Sequence, residues 1–136
     1  MRIVQACRKL GLEFVCVHTA EDIRSGHVRI AKELGGEKSL YQVSSYHDAN
    51  EILSVADDAG ATAIHPGYGF LAENASFAKL CKKYGIAFVG PSGELIDRMG
   101  DKDAARRLMK ASGVPIIPGS GILENVDEAK RAAKEI

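Results

Sequence analysis

The sequence predicts an α/β fold, a parallel sheet with helices on both faces, and three observations carry that expectation. Short continuous apolar runs, Phe14 to Val17, Thr62 to Ile64 and Ile86 to Val89, have the character of strands covered on both sides. Between them lie segments whose apolar residues recur at helical spacing. Glycines at 11, 35, 36, 60 and 85 close those segments. Three or four short strands alternating with helices, joined by right-handed crossovers, form a parallel sheet.

Taken in order, Ile3, Val4, Cys7 and Leu10 share one face of a first helix that Gly11 stops. A helix starting at residue 2 reads as the second element of a βαβ unit that lacks its first strand. After the Phe14 to Val17 strand, His18 to Ser25 is a polar loop, and a helix through His27 to Leu34 ends at Gly35-Gly36. Ser45-Tyr46-His47-Asp48 has the shape of a capping box, with Ser45 bonding to the amide of Asp48, and Ile52, Leu53 and Ala56 face inward on a helix to Ala59. Strand Thr62 to Ile64 leads into a turn, and Phe77, Leu80, Cys81 and Tyr84 seat the next helix on the core. Strand Ile86 to Val89 ends at Gly90-Pro91-Ser92. Ser92 then caps a short helix carrying Leu95, Ile96 and Met99.

From there the rhythm changes to consecutive helices. Asp101 caps a helix with Ala105, Leu108 and Met109 inward and Lys102, Asp103, Arg106, Arg107 and Lys110 outward, the charges forming a wet face. Gly113 to Pro118 is extended, because each proline disfavours helix for itself and its predecessor. Gly119 to Asn125 is a loop, and Val126, Ala129, Ala133 and Ile136 begin a last helix. Both ends of the chain read as cut.

The chain has 136 residues, the length of one ordinary domain. Lys plus Arg and Asp plus Glu both number 18, so no net charge recruits nucleic acid or an anionic membrane. Cys7, Cys16 and Cys81 lie far apart in apolar segments and read as buried free thiols of a reducing compartment, the cytoplasm. No apolar run approaches the roughly 18 residues of a membrane span. GxSxG, HExxH and Walker A patterns are absent, so no catalytic residue and no metal ligand is assigned.

The stretch around which the chain is organised is His65-Pro66-Gly67-Tyr68-Gly69-Phe70-Leu71-Ala72-Glu73-Asn74. Two glycines and a proline in five residues forbid a helix there, while a strand leads in and a helix leads out. In open parallel sheets, loops at the carboxyl ends of strands line the ligand crevice. Gly67 and Gly69 read as backbone devices, His65 as a satisfied buried histidine holding the turn, and Asn74 as the N-cap of the next helix. Glu73 suits the helix start electrostatically. Two readings of Tyr68 stand side by side, a ring packed on the next helix and a ring at the edge of a site.

His-Pro-Gly-Tyr-Gly-Phe-Leu-Ala-Glu-Asn, the Arg2 to Leu10 helix, Phe88-Val89-Gly90-Pro91, Met99-Gly100-Asp101-Lys102 and Gly113-Val114-Pro115, in this order and spacing, closely resemble the N-terminal part of biotin carboxylase. That enzyme is the ATP-grasp component of acetyl-CoA, propionyl-CoA and pyruvate carboxylases. The resemblance runs over essentially the whole chain. It implies a Rossmann-like pre-ATP-grasp domain over residues 1–89, lacking its first strand, and a helical linker with the beginning of an ATP-grasp domain over 90–136. It also implies MgATP-driven activation of bicarbonate, through carboxyphosphate, and carboxylation of N1 of biotin on a carrier protein. Lys102 matches the lysine that contacts the ATP phosphates, where a compact cation makes charge-assisted bonds. Tyr68, with Gly67 and Gly69 shaping its turn, matches the tyrosine that lines the biotin pocket, and Arg2 matches a position near the subunit interface of a homodimer.

The implied cofactors are therefore ATP, Mg2+ and biotin, and the implied partners are the biotin carboxyl carrier protein or domain, a carboxyltransferase and bicarbonate. Fatty acid biosynthesis is the setting when acetyl-CoA is the acceptor. The implied location is the cytoplasm, or the mitochondrial matrix in a eukaryote. The chain departs from the family pattern at its start, where the strand and the Ala-Asn-Arg-Gly-Glu-Ile-Ala segment are missing, and at Ala31-Lys32-Glu33-Leu34. The second nucleotide lysine, glycine-rich lid, magnesium-binding glutamates, general base and biotin-facing arginine would lie past Ile136, so the chain alone is expected to be inactive. Two other readings remain open from sequence: another ATP-grasp ligase, of the carbamoyl phosphate or purine type, and a stand-alone, non-catalytic interaction module with an exposed sheet edge.

Overall fold

The computed structural model describes residues 1–117 and 119–135. Pro118, expected to end the extended segment, and Ile136, expected on the last helix, lie outside the described residues. The chain divides into two compact units, Met1–Gly93 and Glu94–Ile136.

The first unit is α/β. Its elements are α1 (Arg2–Lys9), β1 (Cys16–His18), α2 (Gly26–Gly35), β2 (Leu40–Gln42), α3 (Ala49–Asp58), β3 (Ala63–Ile64), α4 (Ala75–Lys83) and β4 (Ala87–Phe88). β1 pairs in parallel with β2, Val17 opposite Tyr41, and β3 pairs in parallel with β4, Ile64 opposite Phe88. Each pair therefore closes over a helical crossover, α2 or α4, as parallel neighbours require. Among the described residues the ladders form two separate pairs rather than the single expected sheet. Strand β2 was not expected from sequence, because three residues ending in glutamine carry no apolar run.

One core serves both pairs. Val43, Ile52, Leu53, Val55, Leu71, Phe77 and Cys81 form a buried cluster, against which Val17 and Tyr41 of the first pair and Ile64 and Phe88 of the second pack. The inward faces expected for α3 (Ile52, Leu53, Ala56) and for the centre of α4 (Phe77, Cys81) are those buried. Phe77 meets Phe88 edge to face at 6.0 Å, and its burial contributes about 2 kcal/mol.

The ends of several elements depart from expectation. Leu10 and Tyr84 are 73% and 65% exposed, because α1 and α4 stop one residue earlier and both side chains sit on the non-helical cap residue. Ile3 is also exposed at the margin of its face. β1 starts two residues later than the apolar run, leaving Val15 exposed and making His18 a buried strand residue rather than the start of a loop. Residues 21–24 of the expected loop form a 3-10 turn. Of the three free thiols only Cys81 is buried, while Cys7 and Cys16 are half-buried.

The cap of α3 is also not the expected one. Asp48, not Ser45, is the N-cap, its carboxylate accepting from the N–H groups of Asn50 and Glu51, both at 3.0 Å. Ser45 instead accepts from the N–H of His47 at 3.1 Å. A carboxylate gains both the bonds and the positive end of the helix dipole, so it displaces the serine.

In the second unit, α5 (Gly93–Gly100), α6 (Lys102–Ala111) and α7 (Val126–Glu135) follow one another. Asp101 caps α6 as expected, accepting from the N–H groups of Asp103 at 2.9 Å and Ala104 at 3.0 Å. No described residue from 94 to 134 is buried, and Leu95, Met99 and Val126, expected inward, are exposed. Ala133 is exposed as well, Ala132 being half-buried in its place. Arg106 is not part of a wet face: its Nη2 donates to the carbonyls of Ile117 at 2.7 Å and Gly119 at 2.9 Å, tying the extended segment to α6. Asp103 is likewise half-buried and ion-paired to Arg107.

Asp48→Ala is expected to lower stability by about 1 kcal/mol and Ser45→Ala by only a few tenths. Urea denaturation followed by circular dichroism distinguishes the two; equal losses would return the cap to Ser45.

Candidate functional site

The loops at the carboxyl ends of β1, β2 and β3 meet around the turn that follows Ile64. At the end of β3, His65 accepts the N–H of Gly67 on its Nδ1 at 3.1 Å, which closes the bend across Pro66. His65 holds the turn as expected, but it is exposed rather than buried. Gly67 and Gly69 have φ of 74° and 71°, in the left-handed region, and a Cβ at either would meet nothing within 4 Å. Both glycines are thus required by backbone conformation and not by crowding.

Past Gly69 the chain regains a helical course. Phe70 also has a left-handed φ, 44°, which L side chains disfavour. Residues 70–73 form a 3-10 turn, with the N–H of Ala72 donating to the Gly69 carbonyl at 2.8 Å. Leu71 roots this turn in the core. Asn74 caps α4, accepting the N–H of Phe77 at 2.9 Å. Glu73 precedes that cap and is exposed, so it contributes to the helix start only through its charge.

Between the glycines, Tyr68 is 95% exposed. Its ring packs on no neighbouring helix, which removes the first of the two readings of this residue.

Sequence reasoning missed the groups that brace the turn. Phe70 sits edge to face on His47, centroids 4.8 Å apart, and 5.7 Å from the ring of Tyr46. The Tyr46 hydroxyl donates to the Asp22 carboxylate at 2.7 Å and accepts the N–H of Thr19 at 3.3 Å. Burial, and then the bond to Asp22, push its pKa above the ordinary tyrosine value. Next to it, His18 is buried, and its Nδ1–H donates to the Thr19 carbonyl at 3.0 Å. Behind β2, the Glu51 carboxylate accepts from both the N–H and the hydroxyl of Ser44, at 2.8 and 2.6 Å. The available signal was the adjacent aromatic pair Tyr46-His47, just after a strand that could not be read.

Gly67, Tyr68 and Gly69 therefore come together in one turn of the first unit. Lys102 belongs to the second, exposed at the first residue of α6 beside its cap. A cation there opposes the helix dipole, whereas an anion is welcome at such an end. Arg2 is exposed at the first residue of α1. Burial pushes the Cys16 and Cys81 thiols up, which suits inert thiols and not nucleophiles. No three His, Cys, Asp or Glu side chains gather as a metal site among the described residues.

Comparison with known proteins supplies what geometry alone does not. The family described as biotin carboxylase, N-terminal domain, matches residues 1–96. Biotin carboxylase 1 of Bacillus subtilis is 51% identical over 100% of this chain and 30% of its own length. The 2-oxoglutarate carboxylase small subunit of Hydrogenobacter thermophilus is 46% identical over 99% of this chain and 29% of its own. The solved biotin carboxylase domain dimer of the Hydrogenobacter thermophilus 2-oxoglutarate carboxylase, in complex with MgADP, ADP and bicarbonate, superposes with a TM-score of 0.83 at 44% identity, covering 99% of this chain and 30% of that one. The chain thus spans about 30% of the length of the relatives it matches.

Gly67→Ala and Gly69→Ala are each expected to destabilise by about 1–2 kcal/mol through backbone strain alone. Chemical denaturation checks this; a loss below a few tenths of a kcal/mol would show that the turn relaxes out of the left-handed region.

Proposed function

Because the chain belongs to the biotin carboxylase N-terminal domain family, we propose that it forms part of an enzyme that uses ATP and bicarbonate to carboxylate biotin on a carrier protein. The observation that carries this reading is the Tyr68 ring, held out almost wholly exposed by a left-handed turn at the carboxyl end of a parallel strand. A flat aromatic face offered there suits a flat bicyclic ligand. In this reading residues 1–89 are the Rossmann-like pre-ATP-grasp domain, and 90–136 are a helical linker and the beginning of the ATP-grasp domain. The absence of buried residues among those described from 94 to 134 fits a segment whose core is completed by further chain.

Tyr68 would form one wall of the biotin pocket, Gly67 and Gly69 setting its direction. Lys102 would neutralise the ATP phosphates as a compact cation at the exposed start of α6. Bound MgATP supplies the phosphoryl group that activates bicarbonate. The Mg2+ would arrive with the nucleotide, since the described residues assemble no site of their own for it. The relative solved with MgADP and bicarbonate supports the nucleotide and the carboxyl source.

The same relative, solved as a dimer, supports a homodimer, with Arg2 near its interface. A biotin carboxyl carrier and a carboxyltransferase complete the partners, the latter choosing the final acceptor. Acetyl-CoA, with a role in fatty acid biosynthesis, is one candidate. Relatives named for pyruvate and 2-oxoglutarate carboxylation are others. The cytoplasm, or the mitochondrial matrix in a eukaryote, is the proposed location, and the isolated chain is proposed to be inactive.

In the complete carboxylase, Tyr68→Ala is expected to raise KM for free biotin by about 3–10-fold and leave KM for ATP unchanged. Lys102→Met is expected to raise KM for ATP by about 10–100-fold with little effect on biotin. Steady-state ATP hydrolysis with free biotin as acceptor measures both. An unchanged biotin KM would leave Tyr68 a structural corner.

A further inference from the structure

We propose that Tyr46 is a positioning residue for Tyr68: through its contact with Phe70 and its bonds to Asp22 and Thr19, it holds the left-handed turn in the shape that presents the Tyr68 ring. The significance of that ring for biotin rests on the functional reading above, whereas the bracing itself does not.

The case begins with Phe70. It takes a backbone conformation that non-glycine residues disfavour, yet its side chain is 59% exposed, so core burial does not hold it there. Its contacts are aromatic and lie on the loop after β2, His47 at 4.8 Å and Tyr46 at 5.7 Å. Tyr46 is in turn fixed to the loop after β1, by a donated bond to the Asp22 carboxylate at 2.7 Å and an accepted one from the Thr19 N–H at 3.3 Å. A bond to an ionised acceptor is among the strong ones, so this hydroxyl is a firm anchor. The chain from Asp22 through Tyr46 to Phe70 joins the loops that follow three successive strands, and Tyr68 lies two residues from its end. Gly67 and Gly69 leave the backbone on either side of Tyr68 free to take other conformations. Something outside the turn must select one, and the aromatic brace does so.

The test compares Tyr46→Phe, Asp22→Ala and Asp22→Asn with the parent chain by amide hydrogen exchange. Tyr46→Phe keeps the ring on Phe70 and removes only the anchor. The expected result is about tenfold faster exchange at Gly67 and Ala72, whose N–H groups close the turn, with the Phe77 amide at the α4 cap unchanged. Asp22→Ala should behave alike, and Asp22→Asn, which keeps an acceptor oxygen, should restore exchange close to the parent. Unchanged exchange at Gly67 and Ala72, or an equal rise at Phe77, would overturn the proposal, the latter by showing general loosening.

A second arm reads the consequence in the complete carboxylase. There Tyr46→Phe should raise KM for free biotin several-fold while KM for ATP stays put; parallel loss in both would again mean general loosening and overturn the positioning role. Faster turn exchange with an unmoved biotin KM would support the brace and overturn the assignment of Tyr68 to biotin.

Discussion

Strands two or three residues long make too few ladder bonds to hold a parallel sheet together, and here the two strand pairs share no ladder among the described residues. What joins them is one buried cluster, drawn mainly from α3 and α4, against which residues of both pairs pack. Ile52, Leu53 and Val55 from one helix and Phe77 and Cys81 from the other close over Val17, Tyr41, Ile64 and Phe88. Phe77, 1% exposed, stands edge-on to Phe88, so the helix that leaves the candidate site is locked to the strand that follows it. Removing a ring at such a position leaves a cavity worth about 3–5 kcal/mol, a large part of the stability of a unit this size.

That core fixes where the carboxyl ends of the strands open, and the site is built on those ends from backbone conformation. Leu71 roots the far side of the turn in the core and Asn74 starts α4. Between Ile64 and Leu71, two glycines permit the left-handed course, and order comes from one histidine bond and an aromatic contact to the neighbouring loop. This arrangement lets a ring stand almost wholly in solvent on a turn that is itself tied to its neighbours. Exposure of that kind is wasteful for a packing residue and useful for a residue that meets a flat ligand.

Patterns that lie within one element were legible in the sequence. The inward residues of α3, the centre of α4, the caps at Asn74 and Asp101 and the glycine turn all depend on neighbours at most four positions away. Strand β2 was not legible, since Leu40-Tyr41-Gln42 has neither the length nor the apolarity of a strand and is one only because Cys16–His18 lies beside it. The Asp48 cap was obscured by a serine at the spacing of a capping box. Arg106 and Tyr46 were missed for a common reason: each acts across the chain, Arg106 over 11 and 13 residues and Tyr46 over 24 and 27. The motifs of the family that the chain carries were legible, and they pointed to Tyr68 and Lys102 as candidates but not to the groups that brace the turn of Tyr68.

The most direct measurement is a crystal structure of the complete carboxylase with biotin bound. The bicyclic ring of biotin is expected to lie against the face of Tyr68, with Gly67 and Gly69 still left-handed and the Tyr46–Asp22 bond intact. Biotin ordered elsewhere, with Tyr68 still standing free in solvent, would contradict the central claim that this turn exists to present that ring.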